Sequence, residues 1–302
     1  MIGGFGVPGK GKDSGNLRLA RVAVRLAADS GRILPNQRAE TIAKERDAYA
    51  FDNPPPGVDR NIIDKIWDSY EAKLPSAIRA LERGSFTPSD WRTVLEHMIG
   101  QSARSPDYLV RAATYLATQR IGTPTRDELQ LERLKTLANT PAFMADCRYA
   151  LVRRPADGPR FFVNDKGYAA PLQDPETGLA NVVFPLSPEI AVLMVVGAGQ
   201  PSDNFDVRPM RKLTMTPATV ALINEASWQL SGIQFLIGHP QDIPHMLRLD
   251  AAKPLQPPLL GPYRGTGDAG LCDWAVSTEV ASRLTVFNVN GTWIGAGPSP
   301  NV

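Results

Sequence analysis

The chain has 302 residues, enough for one large domain or two ordinary ones. Its 43% hydrophobic, 21% charged and 7% aromatic residues exclude a disordered or fibrous protein. The 33 basic and 31 acidic side chains leave a net charge of +2, which removes the global charge argument for a dedicated nucleic-acid binder, and two cysteines with three histidines exclude a disulfide framework or a Cys/His-rich zinc module.

The first residues are interrupted by Gly3, Gly4, Gly6, Pro8 and Gly9, so no secretory signal is expected there, and residues 1–15 read as a tail. No run reaches the ~18 apolar residues of a membrane span. Cys147 and Cys272 read as free thiols, and a cytoplasmic protein with no membrane association is expected.

A first helix is expected from about Asn16 to Asp29, with Arg18, Arg21 and Arg25 on one face and Leu19, Val22 and Leu26 on another. Ile62, Ile63, Ile66, Trp67 and Tyr70 form an apolar helical stripe. Leu74, Ile78 and Leu81 continue it beyond Pro75, which marks a kink or a fresh start, and Gly84 reads as a C-cap. Four hydroxyl–proline pairs then recur: Thr87-Pro88, Ser105-Pro106, Thr123-Pro124 and Thr140-Pro141, spaced 18, 18 and 17 residues apart. Each offers an N-cap followed by proline at the first helical position, where its missing N–H costs nothing.

Beyond Ala145 the character changes. Tyr149–Arg153, Arg160–Val163, Asn181–Phe184 and Ile190–Val196 are β-prone runs, separated by Pro155-Ala156-Asp157-Gly158 and Asp174-Pro175-Glu176-Thr177-Gly178. A helix capped by Thr216-Pro217 ends before Gly232, and Ile233–Ile237 reads as a strand. Lys253–Gly270 is rich in proline and glycine and reads as an irregular connection, and Leu284–Val289 reads as a last strand. The expected fold is α+β: a helical half (16–144) packed on a mixed or antiparallel sheet in an α/β half (145–252) that shares its core, then a Pro/Gly-rich extension (253–302).

Several patterns were weighed for chemistry. Gly4-Phe5-Gly6-Val7-Pro8-Gly9-Lys10 has P-loop spacing but continues with Gly11 where Ser or Thr should hold magnesium, so no nucleotide is expected. His239 and His245 are separated by Pro240 and Pro244 and do not form a metal motif, while His97 beside Met98 suits a structural place in a helix. Glu71-Ala72-Lys73 lies on an expected helix and does not support a nuclease motif. Asp165, Asp174 and Glu176 gather at turns, where aspartate also serves the backbone. Neither a cofactor nor a metal is expected.

Four stretches in order carry a resemblance. They are Gln101-x-x-Arg104-Ser105-Pro106, Phe161-Phe162-Val163-Asn164-Asp165-Lys166-Gly167, Phe184-Pro185-Leu186-Ser187-Pro188, and Ile223-Asn224-x-x-Ser227-x-x-x-Ser231. Together they resemble domain-of-unknown-function family 4238 over roughly residues 31–237. The chain departs from that family's pattern by lacking a His-x-x-Pro element before Leu17 and by carrying Asn164-Asp165-Lys166-Gly167 in place of a Ser-Asp-Asn-Pro turn. The resemblance implies a bacterial or phage cytoplasmic α+β protein and supplies no reaction. Two readings stay open. One is a binding or accessory protein with a protein partner, such as a component of a defence or mobile-element locus. The other is a hydrolase acting on a phosphate ester or nucleic acid through Asp165, Arg104 and Asn224, with Gln101, Asn164 and Ser187 binding beside them.

Overall fold

The computed structural model describes residues 20–27, 31–42, 48–104, 108–119, 122–145, 148–173, 180–196, 211–229, 233–249, 286–287 and 293–294. Gly4–Lys10, Arg18, Ser105-Pro106, Cys147, Asp174, Glu176, Ser231, Lys253–Gly270 and Cys272 lie outside the described residues. The chain is α+β and divides into two compact units. One contains residues 1–42, 144–259 and 274–302, and the other residues 43–143 and 260–273.

The first unit opens with a correction. Residues expected in a helix form strand β1 (Arg21–Leu26), so a purely helical N-terminal half does not describe the chain. The β-branched Val22 and Val24 prefer the pleated backbone. β1 is also paired on both sides, antiparallel to β2 (Ile33–Arg38) and to β9 (Phe235–Gly238), which satisfies its backbone groups from both edges. Arg21 and Arg25 still share a face, because four residues is an even step in a strand. Arg21 is exposed, but Arg25 is buried and works inside the fold. The four-stranded sheet runs β2-β1-β9-β4, with β4 at Val163–Asn164. Pro35 sits on the edge strand β2, where a missing N–H is tolerated. Val22, Val24, Val163, Phe235 and Ile237 form this sheet's apolar face.

A five-stranded sheet has the order β5-β6-β7-β3-β8. Its strands are β3 (Arg148–Arg153), β5 (Ala169–Gln173), β6 (Ala180–Pro185), β7 (Ile190–Val196) and β8 (Arg211–Thr214). All pairs are antiparallel except β3 with β8. Helix α6 (Pro217–Gln229) lies over this sheet. Its Val220, Ile223 and Ala226 pack among Ala150, Val152, Ala169, Ala191 and Leu193, and the small alanines leave room for the helix. Thr216 caps α6 as expected, its hydroxyl accepting from the Thr219 N–H at 3.2 Å. Short helix α7 (Ile243–Arg248) follows β9, and its C-terminal carbonyls are taken by Arg25, whose Nη1 donates to Met246 O and, at 3.0 Å, to Leu249 O. The Arg25 guanidinium also lies 4.2 Å from the Trp228 ring. β10 (Val286–Phe287) and β11 (Trp293–Ile294) pair antiparallel.

The second unit is helical: α1 (Ile62–Glu71), α2 (Leu74–Arg83), α3 (Pro88–Arg104), α4 (Tyr108–Gln119) and α5 (Arg126–Ala145). Pro75 marks a fresh start, and Gly84 closes α2 at φ 73°, its N–H bonding Leu81 O while Ser85 N–H bonds Ala80 O. Thr87 caps α3 in a reciprocal box: its hydroxyl accepts from Asp90 N–H, and its own N–H donates to the Asp90 carboxylate at 2.8 Å. The next helix start is shifted by two residues. Thr125, not Thr123, forms the box with Glu128. Thr140-Pro141 starts no helix, because α5 runs through it. Trp67, Tyr70, Ala103, Tyr108, Ala112 and Leu137 form the core of this unit.

Candidate functional site

Four of the six nominated residues belong to the first unit and are held by its backbone. The stretch 160–162, expected to be a strand, pairs with no strand among the described residues. Its Phe161 N–H donates to Pro188 O at 3.1 Å, and Asn224 supplies two more partners. Asn224 Oδ1 accepts from Phe162 N–H at 2.9 Å, and its Nδ2 donates to Arg160 O at 2.7 Å. Asn164 Nδ2 donates to Tyr168 O and to Ser227 O, both at 2.9 Å, tying the β4–β5 turn to α6. Ser187 Oγ accepts from Glu189 N–H at 3.2 Å and Ile190 N–H at 3.3 Å, shaping the turn into β7. Asp165 accepts from Gln234 N–H at 3.0 Å, just before β9. Burial pushes its carboxyl up to about 7, against the opposing pull of that N–H and of Lys166. Lys166 is itself fully buried. The turn returns through Gly167 at φ 79°, a left-handed conformation that glycine adopts without strain.

These contacts assemble a charged chain that sequence reasoning did not nominate. Arg154 meets the Glu189 carboxylate with two N–H groups, at 2.8 and 3.0 Å, and its Nη1 is ringed by the carbonyls of Pro155, Ala156 and Gly158. Arg160 Nε lies 3.8 Å from Glu189 Oε1, and Arg160 Nη1 donates to the buried Asp242 carboxylate at 3.1 and 3.3 Å. His239 precedes the 3-10 turn Pro240–Asp242, and its Nδ1 accepts from Gln241 N–H at 3.2 Å. An accepting Nδ1 places the proton of the neutral ring on Nε2. Burial and then the Arg160 charge hold the imidazole below its usual value, with Asp242 opposing them. A signal was available. Arg160 immediately precedes Phe161, and Glu189 immediately follows Pro188, so both flank stretches already singled out.

Gln101 and Arg104 belong to the second unit, on α3. The Arg104 guanidinium pairs with Glu71 of α1 and lies 4.6 Å from the Trp67 ring. Gln101 Nε2 is 3.1 Å from His97 Nε2, one helical turn away. His97 is buried, which drives its pKa well below the usual histidine value. The Tyr70 hydroxyl is raised by the same burial, and it rests against Gly100, where a Cβ would overlap it. Arg104 and Asp165 therefore stand in different units, each with partners of its own.

Among the described residues no three His, Cys, Asp or Glu side chains gather to hold a metal ion, and no helix is long and apolar enough to cross a membrane. No protein-family model, curated protein or solved structure matches this chain.

Proposed function

We propose that the protein is a binding or accessory protein rather than an enzyme, a bacterial or phage relative of family 4238 on the strength of the four stretches that resemble it. The observation that carries this reading is how the nominated side chains are used. Both polar atoms of Asn224, Nδ2 of Asn164 and the hydroxyl of Ser187 bond backbone groups, and Arg104 is committed to Glu71 and Trp67. A catalytic group must keep an atom available for substrate. These groups spend the named atoms on the fold, and Asn164 Oδ1, buried and without a hydrogen-bond partner among the described residues, is the exception.

The hydrolase reading draws on one observation, the Asp165 carboxyl at about 7, which suits proton transfer near neutrality. The test is turnover of p-nitrophenyl phosphate, bis(p-nitrophenyl) phosphate and single- and double-stranded DNA and RNA, with and without magnesium. The expected result is none above buffer. Hydrolysis that falls about tenfold or more in a folded Asp165→Asn or Arg104→Gln variant would overturn the binding reading.

A further inference from the structure

We propose that Arg160 and His239 form a binding site for a phosphate group, free or carried as a monoester. The site lies outside the six nominated residues and concerns binding alone, so it stands whether or not the chain turns over a substrate.

The first support is the construction around Arg160. Asp242 holds Nη1 of the guanidinium, Asn224 anchors the backbone carbonyl of the same residue, and Glu189 flanks Nε at 3.8 Å. The Glu189 carboxylate is in turn clamped by Arg154. A guanidinium already held in an ion pair on an anchored backbone gives up less side-chain entropy when a ligand arrives. The fixing leaves donors over. Nη2 and Nε of Arg160 have no hydrogen-bond acceptor among the described residues, and the side chain retains 29% of its exposure. Those two groups are one edge of the planar fork that matches a phosphate or carboxylate.

His239 supplies the second element. Its Nδ1 is occupied by the Gln241 N–H, so its Nε2–H remains to donate. The His239 carbonyl accepts from Asp242 N–H at 2.8 Å, and the Asp242 carboxylate accepts from Arg160 Nη1 at 3.1 Å, which places the three residues in one neighbourhood. A guanidinium edge alone completes a planar carboxylate. A further imidazole N–H donor suits an acceptor with a third oxygen, as a phosphate has.

The charges explain why binding should be selective rather than tight. Arg154 and Arg160 are balanced by Glu189 and Asp242, so the site attracts through directed donors more than through net charge. The Glu189 carboxylate, 40% exposed, repels an incoming anion. Removing that charge should therefore strengthen binding, which a merely structural ion chain would not do.

The experiment is a titration of the full-length chain with inorganic phosphate and with phenyl phosphate, at constant ionic strength against chloride. It is read by calorimetry and by the ring signals of His239. We expect dissociation constants on the order of 1–10 mM for inorganic phosphate. His239 should titrate at higher pH when phosphate is bound, because the anion stabilises the imidazolium. Tighter binding of phenyl phosphate would identify the monoester as the source, and equal binding the free ion. Arg160→Gln should weaken binding about tenfold or more, and Glu189→Gln should strengthen it about threefold. Arg160→Gln leaves Asp242 without its partner, so His239→Gln serves as the second variant and should weaken binding with the thermal midpoint nearly unchanged. No heat or ring shift beyond the chloride control at 50-fold the protein concentration and up to ~50 mM ligand, or binding unaltered in all three variants, overturns the site.

Discussion

The side-chain amide of Asn224 grips the backbone at Arg160, its Nδ2 donating to that residue's carbonyl at 2.7 Å while Oδ1 takes the Phe162 N–H. A helix side chain thus does the work of a missing strand. Asn224 is buried, as are Phe161 and Phe162, so water has little access to replace it. Asn224→Ala should cost about 2–4 kcal/mol, because two buried backbone groups lose their partners at once. Asn224→Asp should also destabilise, since it keeps the acceptor, loses the donor and introduces a buried charge. Urea unfolding of the three proteins decides the matter. A loss below ~1 kcal/mol for Asn224→Ala would show that the stretch 160–162 does not depend on the amide.

The same residue shows what the sequence made legible. Apolar periodicity and hydroxyl–proline caps reach α1, α2, α3, α4 and α6, and β-prone runs reach β3, β6, β7 and β9, because these signals are local. β1 departs from the expected helix because Arg18, Arg21 and Arg25 have helical spacing while Val22 and Val24 favour the pleated backbone, and the burial of Arg25 is a tertiary fact. Its partners, the carbonyls of Met246 and Leu249, are more than 200 residues away in sequence. β8 and β5 lack a strong alternating pattern and exist because neighbouring strands accept them. At the candidate site, Asn224, Asn164 and Ser187 were legible as residues that matter. Backbone roles for Ser187 and Asn224 were legible too, Ser187 because its partners are two and three residues away, but which backbone Asn224 and Asn164 reach was not, since partners about 60 residues away cannot be read from spacing. Glu189 and Asp242 meet Arg160 only after folding.

Gly100 of α3 faces Tyr70, and a methyl group there would overlap the tyrosine hydroxyl and come within 3.3 Å of Trp67 Nε1. Both rings are buried, so neither can move aside without disturbing the core of the helical unit. Alanine in a helix interior is ordinarily favoured over glycine by ~1 kcal/mol. Overpacking of ~1–3 kcal/mol should win here, and Gly100→Ala should be less stable by about 1–2 kcal/mol. The thermal midpoint should fall accordingly. A variant as stable as the parent would mean that the Tyr70 ring relaxes freely.

Thr123 and Thr125 offer a direct comparison of two caps. Both are exposed hydroxyls beside Pro124, but only Thr125 exchanges bonds with Glu128, its N–H donating at 2.7 Å and its hydroxyl accepting from the Glu128 N–H at 3.3 Å. Thr125→Ala should destabilise by ~1 kcal/mol and Thr123→Ala by no more than a few tenths. Equal effects, measured by chemical denaturation, would place the start of α5 differently.

Asp165 gives the fold a pH dependence of unusual sign. Its carboxyl is raised from an ordinary 3.8 to about 7, first by burial, while the Gln234 N–H and Lys166 pull the other way. The folded state therefore holds this proton more tightly than the unfolded chain. Its contribution to stability is fully present below about pH 4, declines as the pH rises, and is lost above about pH 7. Asparagine keeps an acceptor for the Gln234 N–H and cannot ionise, so Asp165→Asn removes the penalty. The variant should match the parent near pH 4 and exceed it at pH 8. The difference should be about 1–2 kcal/mol, less than the full shift would give, because the residue is partly exposed and the solvent screens its charge. Equilibrium unfolding of both proteins at several pH values provides the measurement. A constant difference across that range would show that Asp165 titrates as it does in the unfolded chain, and a parent more stable than the variant at pH 8 would show that the ionised carboxylate is the form the turn requires.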